Sequence, residues 1–356
     1  METTRYDVVI IGGGAAGLSA ATTLGRALRS VSVIDSGTPR NAPAVGIHGF
    51  LSRDGMNPGE LLSIGRSEVL SYGGTVIDGE AVSARRTPEG FEVILEDARR
   101  FSARRLLVTT GLTDELPSID GLREQWGKGV VHCPYCHGWE IRGQRIGVLG
   151  TGPMSVQQAL LFRQWSPDIT LFLNDTVEPT DEQWDKLAAR SVTVVDGPVA
   201  SVDAVDGVLA GLTLREGHSF DVQALAVGTR MEARSALLES LGLSSQVHPS
   251  GAGRFIETDA MGGATAARGV YAAGNVSNLM AQVITAAAEG VMAGARINAD
   301  LIEDETRWAV EGHFGPFSAA SESAVSRIVL GKRLRDFDVG QKNSDISTVA
   351  TGERQR

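Results

Sequence analysis

The amino-terminal part of the chain opens with an apolar run that gives way to a glycine-rich turn. Residues 6–11 are apolar and mostly β-branched, which predicts a buried strand. Gly12-Gly13-Gly14-Ala15-Ala16-Gly17 follows and leads into an alanine-rich stretch ending near Leu28, so we predict a turn and then a helix. A second apolar run, 31–34, ends at Asp35, about 20 residues past the first glycines, where a ribose-binding acid is expected. The pattern predicts a nucleotide-binding βαβ unit.

The same order of elements recurs near the middle of the chain. Residues 146–149 predict a strand, 150–155 a glycine turn, 156–164 a helix and 169–173 another strand. Two βαβ units predict two dinucleotide-type domains.

The second glycine turn departs from the nucleotide-binding pattern. Ser155 replaces the third small residue, and Pro153 removes one amide that would face a phosphate. Where an NADPH-binding domain would place arginines for the 2'-phosphate, the chain has Leu173-Asn174-Asp175. Asp175 would repel a phosphate, and the residues leave open whether NADH or NADPH binds at all.

Late in the chain, residues 269–275 again predict a strand and a glycine turn, and 281–302 predict a helix. If this segment completes the first domain, the second domain is inserted within it. Beyond residue 307 Ser, Gly and mixed charges dominate, and we expect the final 20 or so residues to be mobile. The predicted organisation is an FAD-binding domain at 1–118 and 252–306, an inserted NAD(P)-binding-like domain at 119–251, and a partly disordered C-terminal extension at 307–356.

Composition and charge narrow the classes of partner. The 356 residues carry a net charge of −10, which disfavours nucleic acid and anionic lipid. No apolar run approaches the ~20 residues of a membrane span, and the first residues lack the pattern of a signal peptide. We therefore expect no nucleic-acid or membrane partner and a cytoplasmic location.

Both cysteines of the chain lie in one short run, His132-Cys133-Pro134-Tyr135-Cys136-His137. This spacing closes a small disulfide ring and lowers a thiol pKa below ~8.5, so we predict a redox-active pair on Cys133 and Cys136. A zinc site is the alternative: no second pair of cysteines exists, but His132 and His137 supply two further ligands. We predict no metal.

The glycine turn, the cysteine pair between two βαβ units and the segment GVYAAGN at 269–275 together resemble the low-molecular-weight thioredoxin reductase family over residues 5–302. Thr110-Gly111, Val227-Gly228 and the helix-like run 282–294 support the resemblance. It implies an α/β fold of two Rossmann-like dinucleotide-binding domains, the second inserted in the first. It also implies a homodimer that binds FAD in the outer domain.

Several positions depart from the reductases. His137 replaces the aspartate that commonly follows the second cysteine, and Asn275 replaces another aspartate, although its amide can still bond the flavin ribityl chain. The core CPYCHG, Asn41 and the run 48–55 look more like the flavin-dependent dithiol oxidases of gliotoxin- and holomycin-type natural products. This resemblance implies oxidation of a small-molecule dithiol with oxygen as acceptor.

The resemblance also assigns roles. Cys136 is the flavin-proximal thiol and Cys133 exchanges with the substrate. His137, and secondarily His132, have the chemistry of a base, or they only orient the loop. His48 lies near FAD or has a structural role, and the helix from Gln282 directs amides at the flavin. The residues predicted to bind FAD are Gly12, Gly14, Ala15, Ala16, Gly17, Asp35, Ser36, Arg40, Asn41, His48, Thr110, Gly111, Gly274, Asn275, Gln282 and Val283.

Two other functions stay open at this point. One is an NAD(P)H-dependent reductase of a thioredoxin-like protein. The other is a non-catalytic flavin redox sensor.

Overall fold

The structure is a computed structural model that describes residues 4–313, 322, 325–327 and 329. Its strands are β1 Thr4–Ile11, β2 Val31–Asp35, β3 Thr75–Asp78, β4 Ala81–Thr87, β5 Gly90–Leu95, β6 Arg100–Val108, β7 Leu112–Glu115, β8 Val130–Val131, β9 Ile146–Leu149, β10 Ile169–Phe172, β11 Thr193–Val195, β12 Val199–Val205, β13 Val208–Leu214, β14 Ser219–Asp221, β15 Ala224–Val227, β16 Arg230–Ala233, β17 Gln246–Val247, β18 Gly253–Phe255 and β19 Val270–Ala272. Its helices are α1 Ala15–Arg26, α2 Pro58–Ser71, α3 Leu122–Gln125, α4 Pro134–His137, α5 Ser155–Phe162, α6 Asp181–Ala189 and α7 Val283–His313, with 3-10 turns at Ala236–Leu241 and Gly274–Val276.

The first sheet has the order β3-β2-β1-β6-β5-β4, and β19 pairs with β6. Strands β1, β2, β3, β6 and β19 run parallel, whereas β4 and β5 form antiparallel pairs. Val8, Val9 and Ile10 are fully buried in this sheet, as expected for an apolar central strand. The predicted unit of strand, glycine turn, helix and strand is present as β1, α1 and β2.

The second sheet has the order β11-β10-β9-β15-β8, and its pairs are parallel. Its β9, α5 and β10 are the second predicted βαβ unit. A separate core lies under this sheet, with Phe162, Ile169 and Leu171 fully buried. Two parallel sheets with their crossover helices confirm the predicted α/β class of two Rossmann-like units.

Two short strands connect these sheets. The chain leaves the first sheet through β7 and returns from the second through β16, and the two strands pair antiparallel with Asp114 opposite Met231. They belong to a four-stranded sheet with the order β17-β18-β16-β7. A three-stranded sheet, β12-β13-β14, completes the strands.

Helix α7 is longer than predicted. We expected its end near Ile302, but it continues to His313, past residue 307 where the predicted C-terminal extension begins. The segment 295–311 has no glycine or proline that would end a helix, and Arg307 pairs with Asp304 one turn earlier. The boundary between the two compact units of the chain falls inside this helix, after Asn298.

The predicted boundaries of the FAD-binding and inserted domains stay predictions. The expected mobile tail lies outside the described residues. In the part of the chain that the structure describes, no helix is both long and apolar enough to cross a membrane.

Candidate functional site

A cavity of about 1130 Å³ extends from the glycine turn after β1 to the cysteine pair. It lies at the carboxyl ends of β1 and β2, where parallel sheets bind ligands. Of the residues predicted to bind FAD or to act in catalysis, Gly17 is not part of its wall. The predicted residues that line it are Gly12, Gly14, Ala15, Ala16, Asp35, Ser36, Arg40, Asn41, His48, Thr110, Gly111, His132, Cys133, Cys136, His137, Gly274, Asn275, Gln282 and Val283.

The first glycine turn has the shape of a phosphate cradle. Gly12 has φ +109°, and a Cβ there would lie 2.4 Å from the Thr109 carbonyl oxygen. A Cβ at Gly17 would lie 2.0 Å from the Gly12 carbonyl oxygen, so glycine is needed for α1 to begin this close to β1. A Cβ at Gly14 meets nothing within 4 Å, and no side chain caps the amides of α1. Open space in front of uncapped amides fits the diphosphate of FAD.

The predicted ribose-binding acid is held from two sides. The Gly13 amide donates to the Asp35 carboxylate at 3.1 Å, and Arg66 from α2 pairs with the same carboxylate. Arg66 also donates to Asp78 at 2.8 Å, the residue opposite Asp35 in the register of β2 and β3. The bonds to Asp78 and Asp35, opposed by partial burial, raise the pKa of Arg66. Arg66 therefore compensates two acids that would otherwise repel each other.

At the carboxyl end of β19, side chains fix the loop before α7. The Asn275 amide nitrogen donates to the carbonyl oxygens of Asn278 and Ala281 at 3.0 and 2.9 Å. Glu289 accepts from the Gly274 amide at 2.9 Å and from the Asn278 side chain at 2.6 Å. The nitrogen of Asn275 thus holds the loop, and its predicted bond to FAD stays a prediction.

The cysteine pair sits at the start of the single-turn helix α4, with Cys133 as the N-cap residue. The two sulfur atoms lie 2.7 Å apart, and the Cys136 thiol donates to Cys133. This bond, opposed by burial and assisted by the amides of Cys136 and Tyr135 and by the Gln282 side chain, lowers the pKa of Cys133 to about 6. The same proton raises the pKa of Cys136. Of the two thiols of the reduced pair, Cys133 therefore has the lower pKa.

Two neutral histidines lie beside the pair. His132 Nδ1 is 3.1 Å from the Val227 carbonyl oxygen, which only accepts, so Nδ1 carries the hydrogen and Nε2 is the acceptor. Burial, partly opposed by this bond, lowers the pKa of His132. Burial likewise lowers the pKa of His137, whose Nδ1 is buried without a hydrogen-bond partner among the described residues. Both rings are available as proton acceptors at neutral pH.

His48 completes a group of three histidines in the cavity wall. Its Nδ1 lies 3.5 Å from Asp54 and its Nε2 lies 3.7 Å from Glu140, which follows the CPYCHG core. The charge of Glu140 raises the pKa of the nearby His137, although burial of that ring has the larger, opposite effect. No role was predicted for Glu140 from the sequence.

Arg40 is bound to a buried acid. Its Nε and Nη2 donate to the two carboxylate oxygens of Asp114 at 2.6 and 2.7 Å, and Thr229 Oγ1 donates to Asp114 Oδ1 at 2.7 Å. Burial raises the pKa of Asp114, but the bonds from Arg40 and Thr229 together bring it below its usual value. The predicted contact of Arg40 with FAD stays a prediction, because this guanidinium already has a partner.

Side-chain hydrogen bonds fix the backbone of the second glycine turn. The Ser155 hydroxyl accepts from the Thr151 amide at 3.0 Å, and the Gly150 carbonyl accepts from Asn174 Nδ2 and Thr176 Oγ1 at 3.1 and 2.7 Å. Asn174 Oδ1 in turn accepts from the Val199 amide at 2.8 Å. Asn174 thus forms a structural corner at the end of β10.

Sequence reasoning missed several residues of the site. Arg66, Asp114 and Glu289 each bind a predicted residue, but each lies on a distant element without a motif of its own. The signal that was available for Asp114 was its position three residues after Gly111 of the Thr110-Gly111 segment.

Comparisons with known proteins agree with this geometry. The family model for pyridine nucleotide-disulphide oxidoreductases matches residues 6–290. Thioredoxin reductase tcpT of Claviceps purpurea (strain 20.1) is 31% identical over 309 residues, which cover 84% of this chain and 95% of that protein. The crystal structure of HlmI is 44% identical with a TM-score of 0.81, covering 86% of this chain and 95% of that one. An oxidoreductase from Agrobacterium tumefaciens is 37% identical with a TM-score of 0.79, covering 84% and 99%.

The resemblance to thioredoxin reductase-like flavoproteins is confirmed by these matches. FAD is the cofactor of this family, and NAD(P)H is its usual electron donor. The glycine cradle, the ribose-binding acid and the cysteine pair in one cavity fit that cofactor and its chemistry. The chain is therefore a flavin-dependent disulfide oxidoreductase and belongs to the pyridine nucleotide-disulphide oxidoreductase family.

Proposed function

We propose that the protein oxidises a small-molecule dithiol to a disulfide and uses oxygen as the electron acceptor. The observation that carries this proposal is the corner built by Asn174. Its side chain bonds to both Gly150 and Val199 at the position where an arginine would bind the 2'-phosphate of NADPH. Asp175 beside it adds a negative charge that repels a phosphate. NADH has no 2'-phosphate, so the corner argues against NADPH in particular. A dithiol substrate supplies the electrons without either nicotinamide.

The position of the cysteines supports a small substrate. Cys133 and Cys136 face the same cavity as the glycine cradle, so a thiol has to enter that cavity to react. The walls of this cavity also include the apolar Pro43, Ile47 and Trp126 and the neutral rings of His132 and His137. Such walls favour an uncharged organic molecule over a charged protein surface.

The exchange itself needs only the residues of this chain. A substrate thiolate attacks Cys133 of the oxidised pair, the bond between the two cysteines breaks, and its electron pair remains on Cys136. The second substrate thiolate then attacks the substrate sulfur and releases Cys133, which leaves a substrate disulfide and a reduced pair. His137 or His132 accepts the protons of the substrate thiols. Bound FAD would take two electrons from the reduced pair and pass them to oxygen, giving hydrogen peroxide.

An NAD(P)H-dependent reductase of a thioredoxin-like protein is the second candidate. It is favoured by the similarity of the chain to tcpT, a thioredoxin reductase. A non-catalytic flavin redox sensor is the third. A homodimeric, cytoplasmic enzyme is part of the same proposal and is testable by size-exclusion chromatography and cell fractionation.

Anaerobic titration of the FAD-loaded protein separates the three functions. We expect a small dithiol to bleach the flavin absorbance and NADH or NADPH to leave it unchanged. Cys133→Ser is the control, because this variant keeps FAD but cannot be reduced by the dithiol. Rapid bleaching by NADH or NADPH would contradict the oxidase proposal. A protein whose flavin responds to neither nicotinamide nor to the dithiol would be a redox sensor.

After admission of air, the dithiol-reduced protein should recover its flavin absorbance and release about one hydrogen peroxide per flavin. Recovery that requires an added thioredoxin-like disulfide would instead support the reductase.

A further inference from the structure

The Arg40 guanidinium is fixed in the wall of the cavity that also contains the cysteine pair, and a chain of contacts leads from it through Asp114 and Thr229 towards Val227, the partner of His132. Two nitrogens of Arg40 donate to the Asp114 carboxylate, which is almost completely buried and also accepts from Thr229. Three hydrogen bonds to one carboxylate leave the guanidinium little freedom to turn away. Arg40 and Cys136 line the same cavity, and the positive charge of Arg40 acts on this thiol and on His132.

The charge on Cys136 depends on the state of its partner. In the reduced pair Cys136 donates its proton to the Cys133 thiolate and is itself neutral. In the exchange step a bond forms between the substrate sulfur and Cys133, the bond between Cys133 and Cys136 breaks, and the electron pair leaves on Cys136. Cys133 then carries no charge, so a buried thiolate on Cys136 needs a different stabilising group.

The groups around this thiolate leave one clear candidate. His132 and His137 are neutral, because burial lowers the pKa of both rings, and Asp114 is negative. His48 lies between two acids, Asp54 and Glu140. Arg40 is therefore the residue that supplies a positive charge to this thiolate.

We infer that Arg40, positioned by Asp114 and Thr229, stabilises the Cys136 thiolate that is released when the substrate bonds to Cys133. The residue thereby promotes the breaking of the disulfide of the enzyme. This goes beyond the proposed function, since the same exchange step occurs whether oxygen or a nicotinamide is the partner of the flavin. The ionisation of Cys136 is also measurable without turnover, so a failure here and a failure of the oxidase proposal are distinguishable.

The test uses the FAD-saturated Cys133→Ser protein, in which Cys136 is the remaining cysteine. Its rate of alkylation by iodoacetamide as a function of pH gives the pKa of Cys136. Adding Arg40→Gln should raise this pKa by about one unit, a roughly tenfold loss of thiolate at neutral pH. Adding Arg40→Lys should restore most of the thiolate, because the charge is kept.

Arg230→Gln is the matched control, since this exposed arginine follows Thr229 directly but is not itself part of the cavity wall. Thermal unfolding of each variant verifies that it is folded. A Cys136 pKa that is the same in the Arg40→Gln and Arg230→Gln proteins would overturn the inference. If Arg40→Gln does not fold, the double change Arg40→Gln with Asp114→Asn carries the test, because it leaves no unpaired buried charge. It should still raise the Cys136 pKa, and an unchanged value would overturn the inference.

Discussion

Two buried histidines, His132 and His137, have a lowered pKa for the same reason. Burial disfavours the charged ring of His132 and of His137, so both are neutral above about pH 6.5. A neutral imidazole next to the cavity accepts the proton of a substrate thiol. His137 follows Cys136 directly and lines the cavity, which favours this ring as the base.

Replacing His137 by alanine should lower the rate of dithiol oxidation by about 10²-fold, the typical contribution of general base catalysis. The decline of the rate on the acid side of the pH profile should change, while the ratio of FAD to protein stays constant. The exposed His218→Ala is the control and should keep the wild-type profile. A His137→Ala enzyme with an unchanged pH profile would leave His132 as the base.

His132 should also make the stability of the protein depend on pH. Its folded-state pKa is depressed, so its contribution to stability is fully present above the unfolded pKa of about 6.5 and is lost as pH falls. The free energy of unfolding in urea should therefore fall between pH 7 and pH 5. His132→Asn keeps a donor for the Val227 carbonyl but does not titrate, and its stability should fall less over the same range. Equal slopes for the two proteins would contradict this assignment.

At the scale of elements, close contact between α1 and α7 depends on glycines. A Cβ at Gly290 would lie 2.0 Å from the Ala16 carbonyl oxygen, which is backbone and has little room to move. One turn later, a Cβ at Gly294 would lie 3.0 Å from the Ala20 carbonyl oxygen. The first contact holds the start of α7 against the glycine cradle.

Gly290→Ala should therefore destabilise the protein by about 1–3 kcal/mol and weaken FAD binding. Gly294→Ala is the matched change, because it gains the same helix propensity in the same helix but requires a smaller shift. Thermal unfolding and FAD titration of the two variants should show the larger loss in Gly290→Ala. A loss that is equal or larger in Gly294→Ala would exclude the contact with Ala16 as its cause.

The elements that the sequence predicts well are those with a continuous pattern. The apolar runs of β1 and β9 and the glycine turns after them fix both βαβ units, and all but one of the predicted site residues then line one cavity. Partners such as Arg66 and Asp114 follow no period, because they meet Asp35 and Arg40 only through the fold, 31 and 74 residues away in the chain. The end of α7 was not predicted, because the helix continues to His313, beyond the point near residue 307 where the composition changes.

At the scale of the whole molecule, the cavity wall is assembled from distant parts of the chain. The glycine cradle, the start of α7, the cysteine segment and Glu232 and Ala233 of β16 all contribute to it. A cofactor that contacts such segments together stabilises the folded state through its binding free energy, by about 2.7 kcal/mol at a concentration of 100 times Kd.

Removal of FAD should thus lower the Tm, and added FAD should restore it. Gly14→Val tests the origin of this shift, because its Cβ enters open space in front of α1 and its φ of −77° suits any residue. The variant without FAD should unfold within about 2 °C of the wild-type apoprotein, a small ΔΔG. Added FAD should leave its Tm unchanged; a normal rise would place the diphosphate elsewhere.

The pairing of β7 with β16 has a mechanical consequence. Strand β7 leads from the first sheet towards the second and β16 leads back, and their paired residues run from Leu112 and Ala233 to Glu115 and Arg230. A rotation of one sheet relative to the other would twist this pair of strands. Asp114 lies in β7 and pairs with Arg40, which follows β2 of the first sheet. Such a rotation would also strain this salt bridge, so the Arg40–Asp114 pair stiffens the connection between the two sheets.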